Sequence, residues 1–326
     1  MIRANLRILY LSFILFCSFN FTVYANWVTY DFNVMGTAAH VEIYLDNPAN
    51  KEQLINLVVD EMVRIDHLMS PYKATSEISL LNRSAHKDYT AVSLELFELF
   101  QTAHKISQLS RGAFDITFAS VGYQYDYRNS VKPSQQQIAD NIAAINFKNI
   151  KYKTLNQIYF TQPNTKVDLG GIAKGYAVKT SLRLLEKAGV KHAMVSAGGD
   201  TGLLGDRQGR PWLVAVKHPR NELKQAVKLP LQNEAISTSG DYERFFIKDG
   251  IRYHHILNPK TGRSAQAVIS VSVIGPDPTY TDALSTTLFV KGLNEGLDFI
   301  NKLPDYEAII IDKQLTMHFS NGLKTH

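Results

Sequence analysis

A carboxylate and a hydroxyl four residues apart are the first candidates for chemistry in this sequence. Asp282 and Thr286 lie in a segment that predicts a helix opening at Thr281 and running to Lys291, and residues four apart share one helix face. Two hard oxygen ligands, completed by a backbone carbonyl, waters and ligand phosphates, suit Mg²⁺. The structural alternative, which this segment alone favours, is an aspartate at the helix N-terminus that stabilises the helix dipole.

A double glycine is the second candidate. Residues 167–169 predict a short apolar strand, and Gly170 and Gly171 predict a sharp turn after it. The spacing of apolar residues from Ile172 predicts a helix that ends at Gly189. This arrangement suits a phosphate-bearing ligand, because free N–H groups and the helix dipole point at it. A tight structural turn is the alternative for any isolated glycine pair.

Two adjacent histidines form the third candidate. His254 and His255 lie on a predicted strand that runs into an Asn-Pro turn. Their side chains are expected on opposite faces, so only one of them should reach any single site, where it could act as a general base. A structural role is the more frequent one for a lone histidine.

A run of hydroxyls is a weaker signal. Residues 236–242 predict a polar loop after a strand. Ser237, Thr238 or Ser239 could be a nucleophile, but the surrounding sequence does not resemble a nucleophile elbow. The ten histidines and single cysteine show no usual zinc-binding spacing.

The N-terminal residues have the sequence pattern of a targeting segment. A basic start and the apolar residues 8–21 precede a small-residue cleavage site at Ala25, so residues 1–25 are interpreted as a removed secretory signal, too short to span a membrane. The only cysteine, Cys17, lies inside it, and Phe16 disfavours lipidation there. A mature chain without cysteine uses no thiol chemistry and tolerates an oxidising compartment.

Residues 26–326 are interpreted as one domain, long enough to bury a large core as a single unit or as two fused lobes. Without the two arginines of the signal, the formal charge falls from +5 to +3. This balance is mild, and no dense Lys/Arg stripe with interleaved aromatic residues is present. The sequence therefore argues against a nucleic-acid partner.

Helices and hairpins alternate along the chain without a regular βαβ repeat. Residues 51–69 and 294–303 predict helices, and Ser93 caps a further helix that ends at Gly112. A hairpin turns at Met35-Gly36, and the tyrosine-rich residues 120–135 predict a surface loop or an edge strand. Further strands are predicted at 192–197, 212–217, 226–231, 235–237, 244–247, 252–257, 268–274, 308–312 and 315–319. The predicted fold class is α+β, with mixed, largely antiparallel sheets and packed helices.

Eight short motifs follow one another along nearly the whole mature chain. They are MGT at 35–37, Tyr72 with SEISLLN at 76–82, GAFD at 112–115, DLGGIAKG at 168–175, AGGD at 197–200, STSGDY at 237–242, HILNPKTG at 255–262 and TDALST at 281–286. Their order and spacing resemble the ApbE family, the FAD:protein FMN transferases. Eight motifs in register are far more specific than any one of them.

The resemblance implies an exported, Mg²⁺-dependent enzyme with an ApbE-like fold. Such an enzyme cleaves FAD, attaches FMN through a phosphoester bond to a Thr or Ser hydroxyl of a partner protein, and releases AMP. The implied acceptors are membrane redox subunits of the sodium-pumping NADH:quinone reductase or Rnf type. The implied location is the periplasm, with association with the periplasmic side of the inner membrane left open.

The resemblance also implies roles for particular residues. His255 corresponds to the family histidine proposed as the base, and the backbone carbonyl of Gly171, Asp282 and Thr286 correspond to metal ligands. Ser285 stands where some members have a further acidic ligand, which leaves the number of metal ions open. The implied flavin-contacting residues are Met35, Tyr72, Ala113, Phe114, Asp115, Asp168, Lys174 and Ile256.

Two alternatives share the same predicted site. In an FAD pyrophosphatase, water would replace the protein hydroxyl and give FMN and AMP. In an exported flavin-binding protein, the cofactor would be held without turnover. The transferase reading is physically sound because phosphoryl transfer depends on positioning and on offsetting negative charge, which Mg²⁺ and a glycine-turn helix terminus supply.

Overall fold

The computed structural model describes residues 26–154 and 156–324. The predicted signal, residues 1–25 with Cys17, lies outside the described residues. The α-helices are α1 Lys51–Met69, α2 Glu77–Ser84, α3 Leu94–Ser110, α4 Ala119–Gly122, α5 Gln135–Asn141, α6 Ala173–Lys187, α7 Pro278–Lys291 and α8 Leu293–Ile300. The β-strands are β1 Asn26–Val34, β2 Thr37–Leu45, β3 Thr90–Ala91, β4 Ile150–Lys153, β5 Gln157–Phe160, β6 Ala193–Ala197, β7 Asp200–Leu204, β8 Trp212–His218, β9 Asn221–Leu231, β10 Ala235–Gly240, β11 Phe245–Lys248, β12 Ile251–His254, β13 Leu257–Asn258, β14 Arg263–Ser264, β15 Ser270–Gly275, β16 Glu307–Ile311 and β17 Met317–Phe319.

One antiparallel sheet organises the molecule. Its eight strands run in the order β1-β2-β6-β7-β10-β15-β16-β17, and each neighbouring pair is antiparallel. Small sheets of β3-β5-β4, β8-β9, β11-β12 and β13-β14 accompany it. The predicted α+β class with largely antiparallel sheets is confirmed.

The described residues form four hydrophobic cores, of which the two largest lie along this sheet. The first packs β2 and β6 against α1, α3 and α6, and the second packs β15 and β16 against α7 and α8. Helix α7 contributes to both, because Ala283 belongs to the first core and Leu284 and Leu288 belong to the second. Within the described residues, no helix is both long and apolar enough to cross a membrane.

Several elements match their sequence-based predictions. Helix α1 has the predicted bounds, and Ser93 caps α3 by accepting a hydrogen bond from the Leu96 N–H at 3.2 Å. The β1–β2 hairpin turns at Met35 and Gly36, which have φ values of 53° and 72°. This left-handed conformation at both central positions matches the twist of a two-residue hairpin.

Helix α7 begins earlier than predicted. Asp277 caps it by accepting a hydrogen bond from the Thr279 N–H at 2.9 Å, and Pro278 occupies the first position, where its missing N–H carries no penalty. Asp282 therefore lies inside the helix. The proposed dipole-stabilising role at the N-terminus is wrong, whereas the shared face of Asp282 and Thr286 remains.

Residues 167–169, before the double glycine, form no strand. The Asn82 side-chain amide takes the place of a neighbouring strand, since its Oδ1 accepts the Val167 N–H at 2.8 Å and its Nδ2 donates to the Val167 carbonyl at 2.9 Å. The Asp168 N–H donates to the Ile116 carbonyl at 2.9 Å. The predicted strand is wrong because these backbone groups find partners outside any sheet.

The hydroxyl run also differs from its prediction as a loop. Ser237, Thr238 and Ser239 lie in β10, in the interior of the large sheet. The Ser237 hydroxyl lies 2.8 Å from the Thr281 hydroxyl, and that of Thr238 lies 2.7 Å from that of Ser272. Because facing hydroxyls form hydrogen bonds with one another, a strand with polar side chains can lie in the interior of the sheet.

Substitution of Gly175 tests the contact between α6 and α7. A Cβ added there would lie 2.1 Å from the Pro278 carbonyl oxygen and 2.7 Å from the Asp282 Cβ. Gly175→Ala should lower the free energy of unfolding by about 1–3 kcal/mol, because the helices must separate. Urea denaturation measures the change.

Gly296→Ala in α8 is the matched control. Its added methyl meets first the flexible end of Ile310, at 3.2 Å, and alanine favours a helix. Equal destabilisation by the two substitutions would contradict close packing as the reason for Gly175.

Candidate functional site

A buried ion-paired cluster lies where α6, β7 and α7 meet. The Lys174 ammonium forms an ion pair with the Asp200 carboxylate and lies 3.6 Å from Asp282 Oδ2. The same Asp282 oxygen accepts a hydrogen bond from the Gly175 N–H at 3.0 Å. The first turn of α6 thus supplies a backbone N–H to Asp282 and an ammonium group to the two carboxylates.

The cluster carries more negative than positive charge. Burial, followed by the nearby Asp200, raises the pKa of Asp282 to about 7. Burial acts to lower the pKa of Lys174, but Asp200 and Asp282 outweigh it and the pKa is raised. Two buried carboxylates share one ammonium, so a bound cation would be stabilised here.

Gly171 and Thr286 face each other beside this cluster. A Cβ added to Gly171 would lie 3.2 Å from Thr286 Oγ1 and 3.4 Å from Phe114 Cε2. The Ser239 hydroxyl lies 3.2 Å from Thr286 Oγ1 and 2.8 Å from Ser285 Oγ. The tertiary structure therefore brings the Gly171 backbone close to α7 and supports the Thr286 hydroxyl from β10.

These groups fit a magnesium ion by their chemistry. Within the described ranges, no group of three or more His, Cys, Asp or Glu side chains is placed to hold a metal. A carboxylate, a hydroxyl and a backbone carbonyl remain as donors, a set that suits Mg²⁺, which retains waters and binds phosphate oxygens. None of the hydrogen bonds among the described residues uses Asp282 Oδ1, which leaves that oxygen for such an ion.

His255 is held neutral next to the cluster. Its N–H donates to the Arg244 carbonyl at 3.1 Å, and its buried Nδ1 has no hydrogen-bond partner among the described residues. Burial, with smaller effects from His254, Arg244 and Lys174, lowers the pKa of His255 to about 3. The neutral imidazole has a lone pair that can accept a proton, and a negatively charged ligand bound beside it would raise its pKa and strengthen it as a base.

His254 points away from His255. Its ring lies 5.5 Å from the Phe289 ring, and its Nε2 lies 2.6 Å from the Ala265 carbonyl oxygen. The predicted separation of the two histidines is confirmed, and His254 takes the structural role.

The candidates for flavin contact occupy different environments. Asp168 Oδ1 accepts the Gly170 N–H at 2.7 Å, and burial raises the pKa of Asp168. Tyr72 is 82% exposed, whereas Ile256 is buried in the second core. Met35 lies in the hairpin turn that faces Arg244.

Asp115 of the GAFD motif has a structural role. Asp115 accepts hydrogen bonds from the Thr117 N–H at 2.9 Å, from the Thr117 hydroxyl at 2.6 Å and from the Phe147 N–H at 2.7 Å. Its carboxylate therefore fixes the local backbone. Phe114 is buried with its ring towards Gly171, and Ala113 is half-buried beside it. The flavin-contacting roles of these residues stay predictions.

Comparison with known proteins decides the family. A sequence model of the ApbE family matches residues 35–310. The chain belongs to the ApbE family.

Similar ApbE proteins cover most of the chain. The FAD:protein FMN transferase of Vibrio cholerae is 29% identical, with 89% of this chain and 90% of that protein covered. The crystal structure of the ApbE protein of Thermotoga maritima is 30% identical, covers 92% of this chain and 99% of its own, and has a TM-score of 0.85. The flavin transferase ApbE from Vibrio cholerae is 27% identical, with the same coverage and a TM-score of 0.82.

Three residues of the ApbE site have roles that sequence reasoning did not assign. Asp200 shares the Lys174 ammonium with Asp282, Ser239 supports Thr286, and Arg244 lies beside His255. Asp200 and Ser239 stand inside quoted motifs. Arg244 follows its motif by two residues and carried no sequence signal of its own.

The lowered pKa of His255 predicts a pH dependence of stability. Between its ordinary value of 6.5 and the folded value of about 3, the unfolded chain binds a proton that the folded chain does not. The contribution of His255 to stability is therefore complete above pH 6.5 and declines as the pH falls towards 3. In urea denaturation with EDTA present, His255→Asn should lose less stability than the wild type over this interval.

His67→Asn, on the exposed part of α1, is the matched histidine substitution for comparison. The difference between variants isolates His255 from the buried aspartates, whose raised pKa values act in the opposite direction. An unchanged slope in His255→Asn would refute neutral burial of the ring.

Proposed function

We propose that this protein is an FAD:protein FMN transferase that requires Mg²⁺. The observation that carries the proposal is the convergence of a neutral histidine, a surplus of buried carboxylate and a glycine turn in one ApbE-family site. The relatives that share this family bear the name FAD:protein FMN transferase. In the proposed reaction, FMN becomes linked through a phosphoester bond to a Thr or Ser of a partner protein, and AMP leaves.

Each residue has a role that follows from its environment. Neutral His255 accepts the proton of the acceptor hydroxyl as that oxygen attacks the phosphorus next to the FMN moiety. The bond from this phosphorus to the bridging oxygen breaks, and AMP departs with that oxygen. Lys174 holds Asp200 and Asp282 in place.

Asp282, Thr286 and the Gly171 carbonyl would hold the metal ion. When bound, Mg²⁺ offsets the negative charge of the diphosphate and of the leaving group. Ser239 keeps the Thr286 hydroxyl in position through its hydrogen bond of 3.2 Å. Ser285 cannot supply a carboxylate, and its hydroxyl is engaged with Ser239 and the Asp282 carbonyl, each at 2.8 Å.

Gly171→Ala tests the metal position. The added methyl would lie 3.2 Å from Thr286 Oγ1, between two of the proposed ligands. Mn²⁺ or Mg²⁺ affinity measured by calorimetry should fall by about 10–100-fold, as expected when ligand placement is disturbed.

Gly170→Ala is the neighbouring control. Its methyl would meet only Asp168, at 3.0 Å, so metal affinity should stay at the wild-type value. Equal affinities in all three proteins would place the metal elsewhere.

The activity is tested with residues 26–326, FAD, Mg²⁺ and an acceptor domain that carries a flavinylation Thr or Ser. Intact-mass analysis should show an FMN-sized gain on the acceptor, with an equal amount of AMP. His255→Asn should lower kcat by about 10²–10⁴-fold through loss of the base. EDTA or Asp282→Asn should abolish transfer while leaving the thermal melt intact.

Other products would support the alternatives. AMP release without a mass gain on the acceptor indicates an FAD pyrophosphatase. Bound FAD with neither product indicates a flavin-binding protein.

We place the reaction in the periplasm, on the basis of the signal-like residues 1–25. The proposed acceptors are periplasm-facing loops of membrane redox subunits of the sodium-pumping NADH:quinone reductase or Rnf type. Inner-membrane fractionation and mass analysis of those subunits, with and without this protein, test both statements.

A further inference from the structure

We propose that Arg244 is a substrate-binding residue that holds the diphosphate of FAD at the outer face of the site. The inference rests on the proposed function and adds a residue to it.

Arg244 and His255 are paired across a hairpin. In the β11–β12 ladder Phe245 stands opposite His254, and the His255 N–H donates to the Arg244 carbonyl at 3.1 Å. The pairing therefore continues one residue beyond the strands. Directly opposed residues of an antiparallel pair project to the same face, so Arg244 lies on the same side as the proposed base.

The Arg244 side chain reaches into the site from this position. Its Nη2 lies 3.2 Å from the point where a Cβ of Gly36 would stand. The Met35-Gly36 turn thus leaves room for the guanidinium. Arg244 also interacts electrostatically with Asp168, Lys174 and His255. The positive charge of Arg244 therefore lies close to the glycine-turn segment, to α6 and to His255.

Among the described residues, the Arg244 guanidinium has no carboxylate within ion-pair distance, unlike its neighbours Arg220 and Arg252. Arg220 makes a bidentate contact with Asp241, at 2.6 Å and 2.7 Å, and Arg252 lies 3.9 Å from the same carboxylate. Asp241, only three residues before Arg244, is thus already neutralised. In the part of the chain that the structure describes, Arg244 forms no ion pair and is exposed to solvent.

This free charge matches the chemistry of the substrate. The positive charge of Lys174 is already compensated by Asp200 and Asp282. Lys174 is therefore a weak binding partner for an anionic ligand. A diphosphate beside His255 needs a cation on the side away from the metal ligands. The planar guanidinium suits two phosphate oxygens, because it donates two parallel hydrogen bonds.

The test compares ligands with and without phosphate. Calorimetry or fluorescence titration measures the Kd values of FAD, ADP and riboflavin for the wild type, Arg244→Gln and Arg244→Lys. In Arg244→Gln the FAD and ADP affinities should fall by about 10–100-fold, as expected for loss of charge-assisted hydrogen bonds, while riboflavin binding stays unchanged. Arg244→Lys should be intermediate, because lysine keeps the charge without the fork.

Lys248→Gln is the control for charge alone. Lys248 is exposed near the tip of the same hairpin, and its removal should leave all three affinities at the wild-type values. Melting curves confirm that each variant is folded. Unchanged FAD and ADP affinities in folded Arg244→Gln overturn the inference, as does an equal loss for riboflavin.

Failure of the proposed function gives a different result. If the wild type transfers FMN to the acceptor but Arg244→Gln binds FAD and ADP normally, only the inference fails. If the wild type forms no adduct although FAD and ADP binding depends on Arg244, the transferase proposal fails and the diphosphate site stands. If the wild type binds neither FAD nor ADP, both are wrong.

Discussion

The buried contact between the start of α6 and the middle of α7 is the constraint on which the site depends. Gly175 allows the two helices to approach until its N–H reaches the Asp282 carboxylate at 3.0 Å. Lys174 then stands between Asp200 and Asp282. Buried charges of this kind are tolerated only when they are paired and hydrogen-bonded, so the helix contact and the charge cluster must form together.

The two sides of the site have opposite electrostatic character. Helix α7 presents a carboxylate that lacks full compensation, which favours a cation. The hairpin of β11 and β12 presents Arg244 and a neutral His255. A diphosphate bound between these sides would meet the proposed metal ion on one side and the guanidinium on the other, which is the distribution of charge that phosphoryl transfer needs.

Hydroxyl pairs connect this site to the sheet. Ser237 and Ser239 point from β10 towards α7, where they meet Thr281, Ser285 and Thr286. Such buried polar contacts fix one relative position of helix and sheet, because a shift would leave hydroxyls without partners. A polar strand in the centre of the sheet therefore has a positional role.

Sequence patterns predicted the structure correctly where interactions between residues close together in the chain determine it. Helix α1 follows from apolar spacing, the cap of α3 from Ser93, and the hairpin turn from Met35-Gly36. The same reasoning failed at residues 167–169, where a distant Asn82 side chain replaces a strand partner. It also failed in β10, because the partners of its hydroxyls lie 34 to 47 positions away in the chain.

The amino-acid sequence by itself determined the motif order, the helix face shared by Asp282 and Thr286, and the opposite orientation of the two histidines. The motif order is a property of the chain itself, and the other two properties depend on residues that are close together in the sequence. Only the tertiary structure decided that Asp200 shares the Lys174 ammonium, and that Arg244 lies opposite His255 with no ion-pair partner in the described part of the chain. Electrostatic interactions depend on distance in space, and no pattern along the chain specifies which distant charges will meet.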